Sequence, residues 1–154
     1  AKKGNRTRFA FRQGRVKNQP WDFSFSGLKT NVLYTIKGPN CQKDTPLTLS
    51  DQERADVAAS FQETALRDVV GKAIEAACMH ACPAIYCGGG VSNNQRLREL
   101  FNEMGCIVPV YYPAKALTLD NAAMIAGLGY HTYLTQGKKG DGLDLAPLTR
   151  IPLG

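Results

Sequence analysis

Three stretches of this chain combine residue types that act on phosphates, sugars or metals. The most concentrated is Ile85-Tyr86-Cys87-Gly88-Gly89-Gly90-Val91-Ser92-Asn93-Asn94. A short apolar run enters three glycines, and three residues with short hydrogen-bonding side chains come soon after. Glycine admits left-handed backbone angles and lets a ligand approach the main chain. A helix starting here would add free N–H groups and a positive dipole end, both favourable to an anion. The pattern suits a nucleotide phosphate or ribose. It is not a Walker loop, since no Lys-Ser/Thr follows, and it is not the GxGxxG fingerprint. The same glycines also serve a tight strand-to-helix joint that binds nothing, and residue types alone leave both readings open.

The second stretch is Leu119-Asp120-Asn121-Ala122-Ala123-Met124. Asp120 stands where a helix is expected to begin. Its carboxylate can be an oxygen ligand to a metal, or an N-cap that stabilises by about 1 kcal/mol relative to Ala. An isolated Asp-Asn favours the cap. The third stretch, Asp22-Phe23-Ser24-Phe25-Ser26-Gly27-Leu28-Lys29-Thr30, is either a second ligand-facing turn or a strand-to-helix joint. His80 and His131 form neither HxxxH nor HExxH, so no zinc-protease helix exists here. The five cysteines, Cys41, Cys78, Cys82, Cys87 and Cys106, are odd in number and match no zinc signature. They read as reduced core thiols of a cytosolic protein.

The elements that must position these residues follow from periodicity. Ser50 and Glu53 form a capping box ahead of a helical pattern that runs to about His80, with Val57, Phe61, Ala65 and Val69 at helical spacing. Gly71 inside it marks a weak point or a close helix contact. Ala84–Cys87 reads as a buried strand, Ser92–Met104 as a helix closed by Gly105, and Ile107–Tyr111 as a second strand. Asp120–Leu134 is the last helix. Upstream, Phe9 and Phe11 suggest one short strand, Trp21–Ser26 a strand-like entry, and Leu28–Ile36 a short helix. Strand, helix, strand, helix implies a parallel α/β layer. Two clear strands are few for such a layer, so part of the sheet is expected outside this chain.

The 154 residues fit one domain, and no run of apolar residues is long enough to span a membrane. The start, Ala1-Lys2-Lys3, has neither Met nor the apolar stretch of a signal peptide. The expectation is a cytoplasmic protein, seen as a processed product or a fragment. The net charge of +6 is concentrated: Lys2, Lys3, Arg6, Arg8, Arg12, Arg15 and Lys17 precede any acidic residue, leaving twelve basic and thirteen acidic residues in the rest. Residues 1–20 therefore read as a basic irregular segment and residues 21–154 as the folded lobe. Such a segment either attracts a polyanion, RNA foremost, or is simply solvated.

Taken together, DFSFSGLKT at 22–30, GGVSNNQRLR at 89–98 and DNAAMIA at 120–126 resemble the C-terminal half of the TsaD family, the tRNA N6-adenosine threonylcarbamoyltransferases once described as O-sialoglycoprotein endopeptidases. The resemblance runs from about Asp22 to the Arg150-Ile151-Pro152-Leu153 ending. It implies an α/β, actin-like or sugar-kinase-like fold of two ribonuclease-H-type lobes, of which this chain supplies the C-terminal one. It implies transfer of a threonylcarbamoyl group from threonylcarbamoyl-adenylate to the adenosine 3′ of the anticodon, in tRNAs reading codons that start with A. It also implies that Asn94, Gly89, Gly90 and Ser92 bind the adenylate. Asp120 would then share one iron or zinc ion with two histidines of an HxxxH helix, and TsaB-like and TsaE-like proteins would be partners. The chain departs from the pattern: HxxxH and the family's Gly-Gly-Pro segment are absent, and Leu119 stands where Thr is common. A non-catalytic scaffold of the same fold, pairing with the true transferase, is the alternative those losses would fit.

Overall fold

The computed structural model describes residues 1–40, 42, 44, 46–140, 142–144 and 146. Cys41 and the Arg150–Leu153 ending therefore lie outside the described residues. By packing, the chain divides into Ala1–Thr118 and Leu119–Gly154.

The first unit is organised on one long helix. The Ser50 hydroxyl accepts from the Glu53 amide, and the Glu53 carboxylate accepts from the Ser50 amide, completing the expected capping box. Those bonds to Ser50 hold the Glu53 carboxyl below its usual range. The helix they start, α2, spans Asp51–Met79. Its inner face differs from the expected one. Val57, Phe61, Ala65 and Val69 are only half-buried, while Asp56, Ala59, Ser60, Glu63, Leu66, Val70 and Ala77 are buried. Three of these are polar because two polar partners pack there. Residues 4–9 lie on Asp56 and Ser60, and Arg96 lies on Glu63. Apolar periodicity could not register a face that buries hydrogen-bonded polar groups.

Helix α3, Gln95–Glu103, lies against the C-terminal half of α2. Its Leu97, Leu100 and Phe101 join Leu66 and Val70 in the core. Each such side chain contributes roughly 1.5–3 kcal/mol by leaving water. Gly71 is a close helix contact: a Cβ built there would sit 3.5 Å from Met104 Cε. At the C-terminus of α3, the Gly105 amide bonds to the Asn102 carbonyl and the Cys106 amide to the Phe101 carbonyl. Gly105 takes φ +70°, so it closes the helix at C′ as the sequence suggested, and the two bonds make the ending a Schellman motif.

Strands β1 (Ile85–Tyr86) and β2 (Val110–Tyr111) pair in parallel, Ile85 opposite Val110 and Tyr86 opposite Tyr111, with α3 in the connection. The expected strand–helix–strand order holds, with shorter strands. The expectation that Ala84–Cys87 is wholly buried does not hold. Ile85 packs against the core, but Tyr86 is 79% exposed and stacks on Tyr111 at 5.1 Å. Parallel sheets are ordinarily covered on both faces, and one face of this pair is bare.

The upstream strands are absent among the described residues. Phe9 and Phe11 stack 5.9 Å apart in irregular chain, with Phe11 buried. Among the described residues no strand lies beside residues 21–26, so their alternation finds no ladder to join. Helix α1 (Phe25–Lys37) begins earlier than expected and runs through Gly27. Thr30 bonds back to the Ser26 carbonyl inside this helix, so 22–30 is a coil-to-helix joint and not a strand end. In the second unit, helix α4 covers Ala122–Thr135, and none of its residues is buried. No helix among the described residues is long and apolar enough to cross a membrane.

Candidate functional site

The glycine stretch leaves β1 and turns sharply. Gly89 takes φ +79°, which favours glycine over any residue with a side chain. A Cβ there would meet open space, so the backbone angle, and not crowding, requires glycine. The amides of Gly88 and Gly89 donate no hydrogen bond among the described residues, and Gly88, Gly89 and Gly90 are all exposed. A single 3₁₀ turn, Gly90–Asn93, then leads into α3. The expected helix start at Ser92 is therefore three residues early.

The side chains of the turn separate into inward and outward ones. Ser92 is buried, and its hydroxyl donates to the Gly89 carbonyl at 2.7 Å. It stabilises the turn from inside and presents nothing outward. Its own carbonyl accepts from Arg98 Nε at 3.1 Å. Arg98 braces the turn from below, its guanidinium 4.2 Å from the centre of the Tyr112 ring. Burial in this underside pushes the Cys87 thiol and the Tyr112 hydroxyl upward from their ordinary pKa values.

Asn94 is the N-cap of α3. Its Oδ1 accepts from the Arg96 amide at 2.9 Å, and its Nδ2 donates to Gln62 Oε1 on α2 at 3.0 Å. Both ends of the amide are thus engaged within the protein. Asn93, exposed, reaches the other way: its Nδ2 donates to the Thr118 hydroxyl and, at 3.4 Å, to the Lys115 carbonyl. Thr118 is buried, and its hydroxyl also donates to the Lys115 carbonyl. Gln62, Arg98 and Thr118 were not singled out as site residues by the sequence, whereas Asn93 was one of the three short polar residues that marked the turn. Only Asn93 and Arg98 lie inside the motif that signalled the turn.

Behind the turn, Arg96 binds Glu63 through two nitrogens at 2.7 and 3.0 Å, and also reaches Glu99 and Glu103. Hydrogen bonding to Arg96 is the main reason the Glu63 and Glu103 carboxyls sit below their usual range. The carboxylates in turn raise the Arg96 pKa, so it stays charged. Beside Asn93 and Asn94 opens a cavity of about 560 Å³, with Lys2, Arg6, Gln62 and Lys115 also in its wall.

Asp120 belongs to the second unit and is placed differently from expectation. The cap of α4 is Asn121, whose Oδ1 accepts from the Met124 amide at 3.0 Å. Asp120 precedes the cap, is exposed, and makes no hydrogen bond or ion pair among the described residues. Its carboxylate is therefore free of the capping role. Alone it does not fit a metal centre: no group of three His, Cys, Asp or Glu that could hold a metal exists among the described residues, whereas protein metal sites use three or four ligands.

A parallel strand–helix–strand unit whose first strand runs through glycines into a capped helix places the chain in the α/β class. The comparisons with known proteins narrow this class. Residues 1–127 match the model of the TsaD family, described as tRNA N6-adenosine threonylcarbamoyltransferase, and the chain belongs to that family. It is 50% identical over 153 residues to a protein of that name from Protochlamydia amoebophila, covering 99% of this chain and 44% of the relative. It is 42% identical over 130 residues to the one from Chlamydia trachomatis serovar L2b, covering 84% and 38%. For Chlamydia muridarum the figures are 39% over 137 residues, 88% and 39%. The chain thus spans less than half the length of these relatives.

Proposed function

We propose that the native-length protein transfers a threonylcarbamoyl group from threonylcarbamoyl-adenylate to N6 of the adenosine 3′ of the anticodon in tRNA. The observation that carries this reading is the family match across residues 1–127. The glycine turn is its physical counterpart. The free amides of Gly88 and Gly89, the open side of Gly89, and the start of α3 offer donors and room to an adenylate. In this reading Gly89 and Gly90 face the ligand and Asn94 positions the turn. Ser92 holds the turn's shape from within. The fold is read as the C-terminal lobe of an actin-like, ribonuclease-H-type pair.

Asp120, freed from capping, would contribute one oxygen to an iron or zinc ion, a site that the described residues could not complete without further ligands. Such an ion, when bound, supplies Lewis-acid stabilisation of the donor's oxygens. TsaB-like and TsaE-like proteins are the partners this reading carries, and the cytoplasm is the compartment where tRNA is met. The test is mass spectrometry of nucleosides from unmodified tRNA incubated with native-length protein and threonylcarbamoyl-adenylate. Threonylcarbamoyladenosine is the expected product. Its absence, with folded protein and intact donor, would overturn the transferase reading.

A further inference from the structure

The basic start of the chain is not a loose tail. A Cβ on Gly4 would fall 1.9 Å from the Ala55 carbonyl oxygen, so the backbone lies directly on α2. The Asn5 amide donates to Asp56 Oδ1 at 2.7 Å. The Ser60 hydroxyl donates to the Asn5 carbonyl and accepts from the Phe9 amide, both at 3.2 Å. Phe11 is buried, and the Arg12 amide donates to Asn31 Oδ1 at 2.9 Å, tying the segment to α1. Gly14 lies as close to the Ser24 backbone as Gly4 does to α2. Between these fixed points stand Lys2, Lys3, Arg6, Arg8, Arg12, Arg15 and Lys17, all exposed. None has a carboxylate partner within 4 Å among the described residues. Glu53 feels Arg8 and Glu103 feels Arg6 only at longer range.

Seven cations on a pinned backbone, with no carboxylate within 4 Å among the described residues, repel one another, and a solvated tail would spread them out. Here the backbone is immobilised before any partner arrives, so a polyanion docks without ordering the arm's backbone. The strip has a direction. Its first cations, Lys2 and Arg6, line the cavity that also contains Lys115 and Asn93, where the carboxylates of Glu63 and Glu99 are already bound to Arg96. The strip therefore runs from α1 over α2 to the flank of the glycine turn.

We infer that this pinned cationic strip is the docking surface for the phosphodiester backbone of the tRNA substrate, leading it to the glycine turn. The inference rests on the transferase reading for the identity of the RNA. Its test measures binding of unmodified tRNA to the native-length protein by fluorescence anisotropy across a salt series. One variant carries Lys2→Gln, Lys3→Gln, Arg6→Gln and Arg8→Gln. A control loses the same charge elsewhere, through Lys29→Gln, Arg54→Gln, Lys138→Gln and Lys139→Gln. Circular dichroism checks that each folds. The strip variant should lose at least about tenfold in affinity at about 150 mM salt. Its log–log salt slope should fall by about 0.7–0.9 for each phosphate contact removed, while the control changes by less than about twofold. An unchanged slope in the strip variant would overturn the docking surface. An equal loss in both variants would also overturn it, since net charge alone would then attract the RNA. Transfer by the parent protein is assayed separately at saturating tRNA. Transfer with strip-independent binding sinks only the docking surface, and strip-dependent binding without transfer sinks only the transferase reading.

Discussion

Asn94 shows how a side chain read as a ligand contact acts first through the backbone it organises. Its oxygen caps α3 and its nitrogen ties the turn to Gln62 on α2. Asn94→Ala should cost about 0.5–2 kcal/mol of stability in urea denaturation, the usual loss for an N-cap. It should also weaken adenine-nucleotide binding about three- to tenfold in calorimetry. Asn94→Asp separates the roles, because Asp caps equally well but cannot donate to Gln62 or to a ligand. Recovery of both stability and binding in Asn94→Asp would show that Asn94 works through the turn. Recovery of stability alone would place the amide in contact with the nucleotide. Gly89→Val tests the turn itself. At φ +79° a β-branched side chain is strained by roughly 1–2 kcal/mol or more, and the expected result is a folded protein with no measurable nucleotide binding. A folded Gly89→Val variant that binds nucleotide as the parent does would make the turn purely structural.

The α2–α3 pair carries the charge cluster, and its behaviour with pH follows from signs. Glu63 and Glu103 have folded-state pKa values below the ordinary 4.5, because they accept hydrogen bonds from Arg96. Their contribution is therefore fully present above about pH 4.5 and is lost as pH falls through the depressed values. Urea midpoints should drop on acidification below pH 4.5, and Glu63→Gln should flatten that drop. A Glu63→Gln profile as steep as the parent's would show that other carboxylates control acid unfolding. Arg96→Ala leaves the nearly buried Glu63 with only Arg67 Nε, at 2.6 Å, as its cationic partner and should cost about 1.5–3 kcal/mol, whereas replacing Arg96 and Glu63 together by Met should cost less. This cluster also explains what the sequence conveyed and what it hid. The Ser50–Glu53 box, the Gly105 stop and the order β1–α3–β2 were legible because local hydrogen bonding and short apolar runs determine them. The inner face of α2 was not legible, because Asp56, Ser60 and Glu63 are buried only through partners at residues 5, 9 and 96. The alternation at Trp21–Ser26 misled for the converse reason, since a period of two makes a strand only beside another strand. In the candidate site the glycine turn was legible from its composition. The inward roles of Ser92 and Asn94, and the cap at Asn121 in place of Asp120, depend on side-chain geometry that spacing does not specify.

Apolar surface left bare in both units bears on how the chain relates to its longer relatives. On the two-stranded sheet, Tyr86 and Tyr111 are 79% and 51% exposed and stacked on each other. In α4, Met124, Ile125, Leu128, Tyr130, Tyr133 and Leu134 are all exposed, with no residue of the helix buried. A fourteen-residue helix is near the length at which isolated helices are marginal in water, and most helix stability in proteins comes from packing. Monomeric proteins rarely leave contiguous apolar areas of this kind uncovered. The relatives hold more than twice the residues of this chain, with the Protochlamydia protein matched over only 44% of its length. In those relatives, further chain is available to cover the counterparts of α4 and the tyrosine face. Hydrogen–deuterium exchange on the 154-residue chain and on the native-length protein should show it directly. In the short chain, amides of Ala122–Thr135 should exchange far faster than those of Leu66–Val70 at the α2 core. In the native-length protein they should slow by about tenfold or more for each 1.4 kcal/mol that packing contributes. Leu128→Asp should abolish that slowing while leaving exchange in α2 and α3 unchanged. Equal exchange of α4 in the two lengths would show that its apolar side chains are covered by something other than the rest of its own chain.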